Sequence, residues 1–418
     1  MKIKNIHARE IIDSRGNPTI EVKVTLKNGI SARAGVPSGA STGIHEAWEL
    51  RDHDMKRYNG KGVLKAVKNV NQKLNRLFAD FDVTKQRDID NAMIKLDGTV
   101  NKSRIGANAM LGVSLATARA ASVAKRKPLY ISLRQYYKFP YQNFSLPVPT
   151  FNIFNGGKHA DTNLDVQEIM VIPTKMKLFR ERVRAGYEIF SSLGGVLSDE
   201  GLDTDVGNEG GYAPHVQSTE HALKLVISAI KRAGYHPGED VFLGTDIGAS
   251  ELYNQKTKKY SFVSDKLLMD NDEMVDFMER LSRDFPFLSI EDPLDQDEWT
   301  HWQSLTERLG RKITIVGDDL FVTNKKRIQK GIDMGVANAV LIKVNQIGTL
   351  SETIDSIVLA KENDYKTIIS HRSGETTDDF IADLAVATNA DFVKMGSSRG
   401  ERVCKYNRIM EIEEEVKH

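Results

Sequence analysis

The sequence predicts an α/β protein in which a barrel of alternating strands and helices follows a small α+β domain. In the C-terminal half, short apolar runs recur at intervals of about 25 residues, the length of one strand, loop and helix in a parallel sheet. The runs are rich in β-branched residues, which is typical of strands buried on both faces. Helical apolar spacing fills the gaps between the runs, and an alternating strand pattern opens the chain.

Each apolar run stops on a charged or hydrogen-bonding residue. In chain order these residues are Asp246, Glu291, Asp318, Lys343, His371 to Ser373, and Lys394. When parallel strands close into a barrel, their C-terminal ends share one face, and active sites lie there. A purely structural barrel would not collect so much charge at one rim, so the pattern predicts an enzyme. The longer first interval leaves room for an insertion, which we place at Tyr253 to Phe262.

The composition limits which classes of protein this chain can belong to. A length of 418 residues predicts two or three domains at about 150 residues each, with a larger barrel allowed as one. The formal net charge of +1 gives no indication of a nucleic-acid partner. No apolar run reaches the roughly 20 residues that span a membrane, and the N-terminal segment lacks a signal-peptide core. A single cysteine, Cys404, excludes an internal disulfide, so we expect a cytoplasmic protein.

The first part of the chain predicts a small domain with an antiparallel meander and helices. Alternation from Ile20 to Leu26, followed by Asn28-Gly29, indicates a β-hairpin. A loop of small residues from Val36 to Gly43 is predicted to open a helix and to form a mobile flap, with a plain surface loop as the alternative. Helical spacing predicts helices from Val63 to Leu77 and from Gly106 to Ala124, the latter packed closely on its neighbours.

Proline spacing divides the chain. Pro128, Pro140, Pro147 and Pro149 fall close together. Because such clusters mark loops, we predict a linker at 136–149 between an N-terminal domain at 1–135 and a barrel domain at 150–418.

Three carboxylates at successive strand ends predict a metal site. Asp246, Glu291 and Asp318 offer only oxygen ligands, which favour Mg²⁺ or Mn²⁺ over zinc. Helix capping would explain one such residue but not three on successive units. A lysine near bound divalent cations loses proton affinity, so Lys343 and Lys394 are candidates for a general base.

The other polar residues fit an elimination reaction. A metal cage beside a lysine base suits proton abstraction next to a carboxylate, because the cation offsets the charge that develops. Arg372 and Ser373 match phosphate oxygens. A protonated Glu209, exposed between glycines, would expel a β-hydroxyl as water. The residues therefore predict a metal-dependent β-elimination on a small phosphorylated acid.

Along essentially its whole length the chain resembles the enolase family. The matching segments, in the family's order, are AREIIDSRGNPTIEV, VPSGASTGIHEA, GANAMLGVSLA, FNGGKHA, SIEDP, VGDDLFVTN, LIKVNQIGTLSET and SHRSGETTDDFIADLA. The resemblance implies a small α+β domain before a modified eight-stranded TIM-type barrel. It also implies Mg²⁺-dependent, reversible dehydration of 2-phospho-D-glycerate to phosphoenolpyruvate in glycolysis and gluconeogenesis. A cytoplasmic homodimer or higher oligomer is implied, with a cell-surface fraction and an added binding role left open.

The resemblance also implies a role for each site residue. Lys343 matches the base that takes the C2 proton, Glu209 the acid that protonates the leaving hydroxyl, and Glu168 its support. The implied ligands of the first Mg²⁺ are Asp246, Glu291 and Asp318, and Ser41 closes over the second. The remaining catalytic and substrate-binding residues are His159, Gln167, His371, Arg372, Ser373 and Lys394. The substrate is about a trianion at neutral pH, so a single cation would leave much charge unscreened.

The sequence departs from the family pattern at three places. Asn208 stands where the family usually has Asp, which is expected to lower the pKa of Glu209 beside it. Met395 replaces the usual Thr after Lys394, and the GSSRGER segment is one residue shorter than its common form.

Two other functions remain as alternatives. Another member of the wider superfamily, such as an acid-sugar dehydratase or a racemase, would lack the SGASTG, NEGG and HRSGET segments. The second alternative is a binding protein that has kept the fold but lost catalytic activity. Such a protein would no longer bind a substrate analogue tightly in the presence of the metal.

Overall fold

The computed structural model describes residues 1–40 and 43–416, which form an N-terminal unit and a barrel. Ser41 lies outside the described residues, so its role at the second metal ion stays a prediction. The chain begins with a three-stranded antiparallel sheet, whose strands in spatial order are Ile3–Ile12 (β1), Pro18–Leu26 (β2) and Ser31–Gly35 (β3). The predicted hairpin is confirmed as the β2–β3 connection.

Helices cover one face of this sheet. They span Leu64–Lys68, Asn69–Leu74 and Asn75–Leu77 as one run with a π-helical middle, then Gln86–Asp97, Ala107–Ala124 and Leu129–Tyr137. The helix Ala107–Ala124 packs on β2 and β3. Its Gly112 allows this approach, since a Cβ there would lie 2.4 Å from Cγ2 of Val22. The close packing predicted from its small residues is confirmed.

Asparagine side chains protect the open edge of β1. Oδ1 of Asn71 accepts the amide of Ala8 at 2.6 Å, and its Nδ2 donates to the carbonyl of Ala8 at 3.0 Å. Oδ1 of Asn75 accepts the amide of Ile6 at 2.8 Å. Because an unpaired strand edge invites pairing with another chain, these bonds block that edge.

The segment after the flap is not a helix, contrary to the prediction. Residues 43–57 contain turns and irregular backbone. The amide of Ile44 donates to Oε1 of Gln296 at 3.1 Å, and the amide of Ala47 donates to the carbonyl of Gln346 at 2.8 Å. These amides bond to the barrel instead of to carbonyls four residues back, so the tertiary contacts override the local pattern.

The remaining strands form a closed barrel with one insertion. They are Val148–Asn155 (β4), Glu168–Pro173 (β5), Val241–Asp246 (β6), Tyr253–Asn254 (β7), Lys259–Phe262 (β8), Leu267–Met269 (β9), Phe287–Glu291 (β10), Thr314–Gly317 (β11), Ala339–Ile342 (β12), Lys366–Ser370 (β13) and Phe392–Lys394 (β14). The barrel order is β4-β5-β6-β10-β11-β12-β13-β14, closing from β14 back to β4. Strands β7, β8 and β9 make a separate small sheet, and the predicted insertion from Tyr253 to Phe262 covers the first two of them.

One barrel strand runs opposite to the other seven. β5 pairs antiparallel with both β4 and β6, while all the other neighbours in the barrel are parallel. As a result the first residue of β5, Glu168, lies opposite the last residue of β6, Asp246. The reversal explains how a residue at the start of a strand reaches the rim where the other strands end.

Helices alternate with the barrel strands. They span Phe179–Asp199, Thr219–Arg232, Asn271–Asp284, Trp299–Leu309, Lys325–Met334, Val344–Ile347, Leu350–Glu362, Phe380–Ala387 and Gly400–Val416. Apolar side chains from the strands pack together as a cluster of their own, which contains Ile172, Val316, Ala339, Leu341, Ile368 and Phe392. The fold is thus an α+β domain followed by a modified barrel, as predicted. Within the described residues, each helix is too short or too polar to cross a membrane.

Candidate active site

All but two of the predicted site residues line one polar cavity at the C-terminal ends of the barrel strands; Glu291 contacts Lys394, and Ser41 lies outside the described residues. Asp246 and Lys394 end β6 and β14, while Asp318, Lys343 and His371 directly follow β11, β12 and β13. The other predicted residues that line the cavity are His159, Gln167, Glu168, Glu209, Arg372 and Ser373. The strand-end pattern in the sequence therefore predicted that these side chains lie close together.

Lys394 holds three carboxylates together. Its Nζ lies 2.9 Å from Oδ2 of Asp246, 2.8 Å from Oε1 of Glu291 and 3.2 Å from Oε2 of Glu168. Burial lowers the pKa of Lys394, but these carboxylates outweigh it and raise the pKa well above the ordinary value. The ammonium form of Lys394 is therefore favoured while these carboxylates surround it.

Replacing Lys394 with Met is expected to destabilise the metal-free protein by about 3–5 kcal/mol, because the carboxylates around it would be left buried without a cation. Urea unfolding with chelator measures this loss, and Lys4→Met, at an exposed position of β1, is the matched control. Added Mg²⁺ should restore part of the loss. Equal stability of the variant and the wild type in chelator would show that Lys394 does not hold this cluster.

Lys343 is bound to Asp318. Its Nζ contacts Oδ2 of Asp318, and Oδ1 of the same carboxylate accepts Nε2 of Gln346 at 2.8 Å. Burial lowers the pKa of Lys343, but Asp318 outweighs this and raises it above the ordinary value. The ammonium form is thus favoured while Lys343 holds Asp318, so its use as a base depends on what competes for that carboxylate.

Glu209 lies among hydrogen-bond donors. Oε1 accepts the Ser373 hydroxyl at 2.9 Å, Oε2 accepts Nδ2 of Asn152 at 3.0 Å, and Nε2 of His371 lies 3.1 Å from Oε2. Burial raises the pKa of Glu209, but His159 and His371 outweigh it and hold the pKa well below the ordinary range. The carboxylate form is favoured here, which differs from the protonated Glu209 expected from the sequence.

The pKa of the neighbouring Glu168 shifts in the opposite direction. Burial, followed by the charge of Glu209, raises its pKa to about 7. Nδ1 of His159 lies 3.1 Å from Oε1 of Glu168 and 3.7 Å from Oε1 of Glu209, so it bridges the two carboxyl groups. Of this pair, Glu168 is therefore the carboxyl group that holds a proton more readily near neutral pH, and one imidazole separates it from Glu209.

A carboxylate from the N-terminal unit occupies the predicted phosphate clamp. Nη1 and Nη2 of Arg372 lie 3.0 and 3.1 Å from the two oxygens of Glu46. Nη1 also donates to Oδ1 of Asn345 at 2.8 Å, and Oε1 of Glu46 accepts Nε2 of Gln346 at 3.3 Å. Sequence analysis missed Glu46, which follows the flap and joins it to the clamp.

Asp292 and Asp319 are two further carboxylates that the sequence analysis missed. Together with Asp246, Glu291 and Asp318 they form what we call the acidic rim. Asp292 accepts the amides of Asp318 and Asp319 at 2.8 Å each. Oxygens of these three residues lie within 4.8 Å of one another, close enough to hold an ion. The sequence does carry a signal for them, because two consecutive acids stand at the ends of β10 and β11, Glu291-Asp292 and Asp318-Asp319.

The donor set fits a hard divalent cation. Asp292, Asp318 and Asp319 offer carboxylate oxygens as ligands, which suits Mg²⁺. Burial and then Asp318 raise the pKa of Asp319 to about 8, and burial and then Asp319 raise that of Asp292 well above the ordinary value. A bound cation would relieve this repulsion. Of the predicted ligands Asp246, Glu291 and Asp318, only Asp318 belongs to the close group, so the predicted set stays a prediction.

Gly248 leaves the space that the side chain of Gln167, another predicted site residue, occupies in the cavity. Gly248 has φ +59, and a Cβ there would lie 1.8 Å from Nε2 of Gln167. Any side chain at this position would therefore displace Gln167, which is 4% exposed.

Two of the three departures from the family pattern, Asn208 and the GSSRGER segment, meet at one buried arginine, Arg402. It lies in the GSSRGER segment, and its Nη2 donates to the carbonyl of Asn208 at 3.1 Å. Met395 is fully buried in the main core. No hydrogen bond joins the Asn208 side chain to the Glu209 carboxylate among the described residues.

The chain matches known sequence families over nearly its full length. Residues 3–133 match the family described as "Enolase, N-terminal domain". Residues 143–418 match "Enolase, C-terminal TIM barrel domain". With both domains present in the family's order, the chain belongs to the enolase family of phosphopyruvate hydratases, which are lyases.

Proposed function

We propose that this chain catalyses the Mg²⁺-dependent, reversible dehydration of 2-phospho-D-glycerate to phosphoenolpyruvate. One observation carries the proposal: a single cavity brings Lys343, the acidic rim and the Glu168–Glu209 pair together. These are the groups that a β-elimination needs, namely a base, charge stabilisation and an acid.

Lys343 would take the proton from C2. The electron pair of the C2–H bond would form the C2–C3 double bond, and the C3–O bond would break. The departing hydroxyl would receive a proton through Glu209 and leave as water. Glu168 supports this role, because its raised pKa keeps a proton near Glu209 at neutral pH.

Positive groups would bind the phosphate and the carboxylate of the substrate. We assign the phosphate to Arg372 and Ser373, and the rest of the substrate-binding set to His159, Gln167, His371 and Lys394. An arriving phosphate would compete with Glu46 for the guanidinium fork of Arg372. Substrate binding would therefore loosen the contact between the N-terminal unit and the clamp.

Two Mg²⁺ ions would be held in the cavity. We assign the first to Asp246, Glu291 and Asp318, and the second to Ser41. When bound, Mg²⁺ would supply positive charge beside the substrate carboxylate and compete with Lys343 for Asp318, lowering the lysine's proton affinity. The surplus of buried carboxylates over cations at the rim supports this assignment.

The direct test is phosphoenolpyruvate formation from 2-phosphoglycerate, followed by ultraviolet absorbance. We expect turnover with Mg²⁺ and at least a 10³-fold loss in excess chelator, on the order of what the loss of charge stabilisation costs. Absence of turnover in folded, Mg²⁺-loaded protein would contradict the proposal and favour a binding protein. Titration with a phosphonate analogue would then show whether metal-dependent binding survives.

We further propose a cytoplasmic homo-oligomer. The free thiol of Cys404, which is partly exposed, suits a reducing compartment. Sedimentation velocity of the purified chain tests the assembly, and a monomer at micromolar concentration would contradict it.

A further inference from the structure

Arg402 is a fully buried arginine at the closed end of the active site. It is the third residue of the helix Gly400–Val416 and is 0% exposed. Burying a guanidinium is costly unless its donors are satisfied. Its partners are therefore informative about what it does.

The guanidinium joins the two loops that carry Glu209 and the phosphate clamp. Nη1 donates to the carbonyl of Arg372 at 2.5 Å, and Nη2 donates to the carbonyl of Ser373 at 2.7 Å. Nη2 also donates to the carbonyl of Asn208 at 3.1 Å. One side chain thus fixes the backbone on either side of the cavity, directly before Glu209 and within the clamp.

The same guanidinium occupies one ring nitrogen of His371. Nη1 of Arg402 lies 2.6 Å from Nδ1 of His371. A guanidinium has no acceptor atom and does not lose its proton, so Nδ1 must be the acceptor. The ring proton is then on Nε2, which faces Oε2 of Glu209 at 3.1 Å.

We propose that Arg402 is a positioning residue that fixes the tautomer of His371 and the orientation of Glu209. With Nδ1 occupied by the guanidinium, His371 presents a protonated Nε2 that lies 3.1 Å from Oε2 of Glu209, and the ring neither gives nor accepts a proton in the reaction. Delivery of a proton to the departing hydroxyl is thereby restricted to Glu209, Glu168 and His159. This inference rests on the proposed function for its kinetic consequence, but not for its geometry.

The charges that face His371 agree with a neutral ring. Burial, with Arg402 and Lys394 contributing, lowers the pKa of His371 to about 3, although Glu209 opposes the shift. The ring should therefore stay neutral throughout the pH range in which the protein is handled.

Nitrogen NMR on the wild-type protein tests the geometry directly. With ¹⁵N-labelled histidine, His371 is expected to show an unprotonated Nδ1 and a protonated Nε2 at pH 6, assigned by the signals that disappear in His371→Gln. A charged ring at pH 6, or a proton on Nδ1, would overturn the proposal. This result does not depend on turnover, so it separates failure of the inference from failure of the proposed function.

Arg402→Lys tests the consequence. The ammonium keeps the charge but cannot reach all four acceptors, so dehydration should fall about 10²-fold while exchange of the C2 proton falls much less. Arg399→Lys is the control, because its side chain contacts Glu401 and the carbonyl of Ser14 instead of site residues. A parallel loss of both activities would mean a merely structural role and would contradict the proposal.

Discussion

Lys343→Met should abolish exchange of the C2 proton of 2-phosphoglycerate with solvent and reduce dehydration by about 10⁴-fold, the upper range for loss of a general base. Methionine keeps the length and apolar stem of lysine but cannot take a proton. Because Asp318 loses its ammonium partner, Mg²⁺ binding should persist or tighten in the variant. Deuterium incorporation at C2, measured by proton NMR in heavy water with saturating Mg²⁺, follows the step directly.

The control for this variant is Lys326→Met, an exposed lysine on the helix Lys325–Met334. Urea unfolding with Mg²⁺ checks that both variants are folded. If Lys343→Met still exchanged the C2 proton at a rate near that of the wild type, another group would have to be the base, and our assignment would be wrong.

The location of this site could be predicted because backbone topology decides it. Strands β6, β10 and β14, which end at Asp246, Glu291 and Lys394, run in the same direction in a closed barrel, so their last residues must share one rim. The apolar runs show each strand, and the polar stop shows where it ends. The position of Glu168 at this rim could not be predicted in the same way. Glu168 begins an antiparallel strand, and the sequence pattern of a single strand does not show in which direction the strand runs.

Residues that act through contacts distant in sequence could not be found from the sequence. Glu46 reaches Arg372 only because the two domains pack together, and Arg402 lies in a helix whose apolar spacing gives no indication of a buried charge. The irregular backbone after the flap has the same origin, since its amides bond to barrel residues. These features depend on tertiary packing, which no local pattern of apolar and polar residues specifies.

The protonation states depended on the same packing. From the sequence, a glutamate between glycines was expected to be exposed and protonated. In the structure Glu209 is 2% exposed, and the hydrogen-bond donors around it lower its pKa. Burial instead raises the pKa of the neighbouring Glu168. Two buried carboxyl groups in different hydrogen-bond environments separate in pKa, and only the folded environment decides which one keeps the proton.

Because the pKa values of Glu168 and Glu209 shift in opposite directions, a substitution of Glu209 is the second change expected to have a large effect. Glu209→Gln should reduce dehydration by about 10³-fold while leaving C2 exchange near the wild-type rate, because the amide cannot deliver a proton to the departing hydroxyl. The amide oxygen can still accept the Ser373 hydroxyl, and Lys343 is unchanged. The measurement compares phosphoenolpyruvate formation with deuterium incorporation at C2 in the same sample.

Exchange without elimination is the distinguishing outcome, since it separates a missing acid from a damaged site. Glu200→Gln, at an exposed position after the helix Phe179–Asp199, should change neither rate. Equal loss of exchange and dehydration in Glu209→Gln would instead make Glu209 a structural anchor for His371 and Ser373. The proton for the hydroxyl would then have to come from Glu168 by way of His159, whose Nδ1 lies 3.1 Å from that carboxyl group.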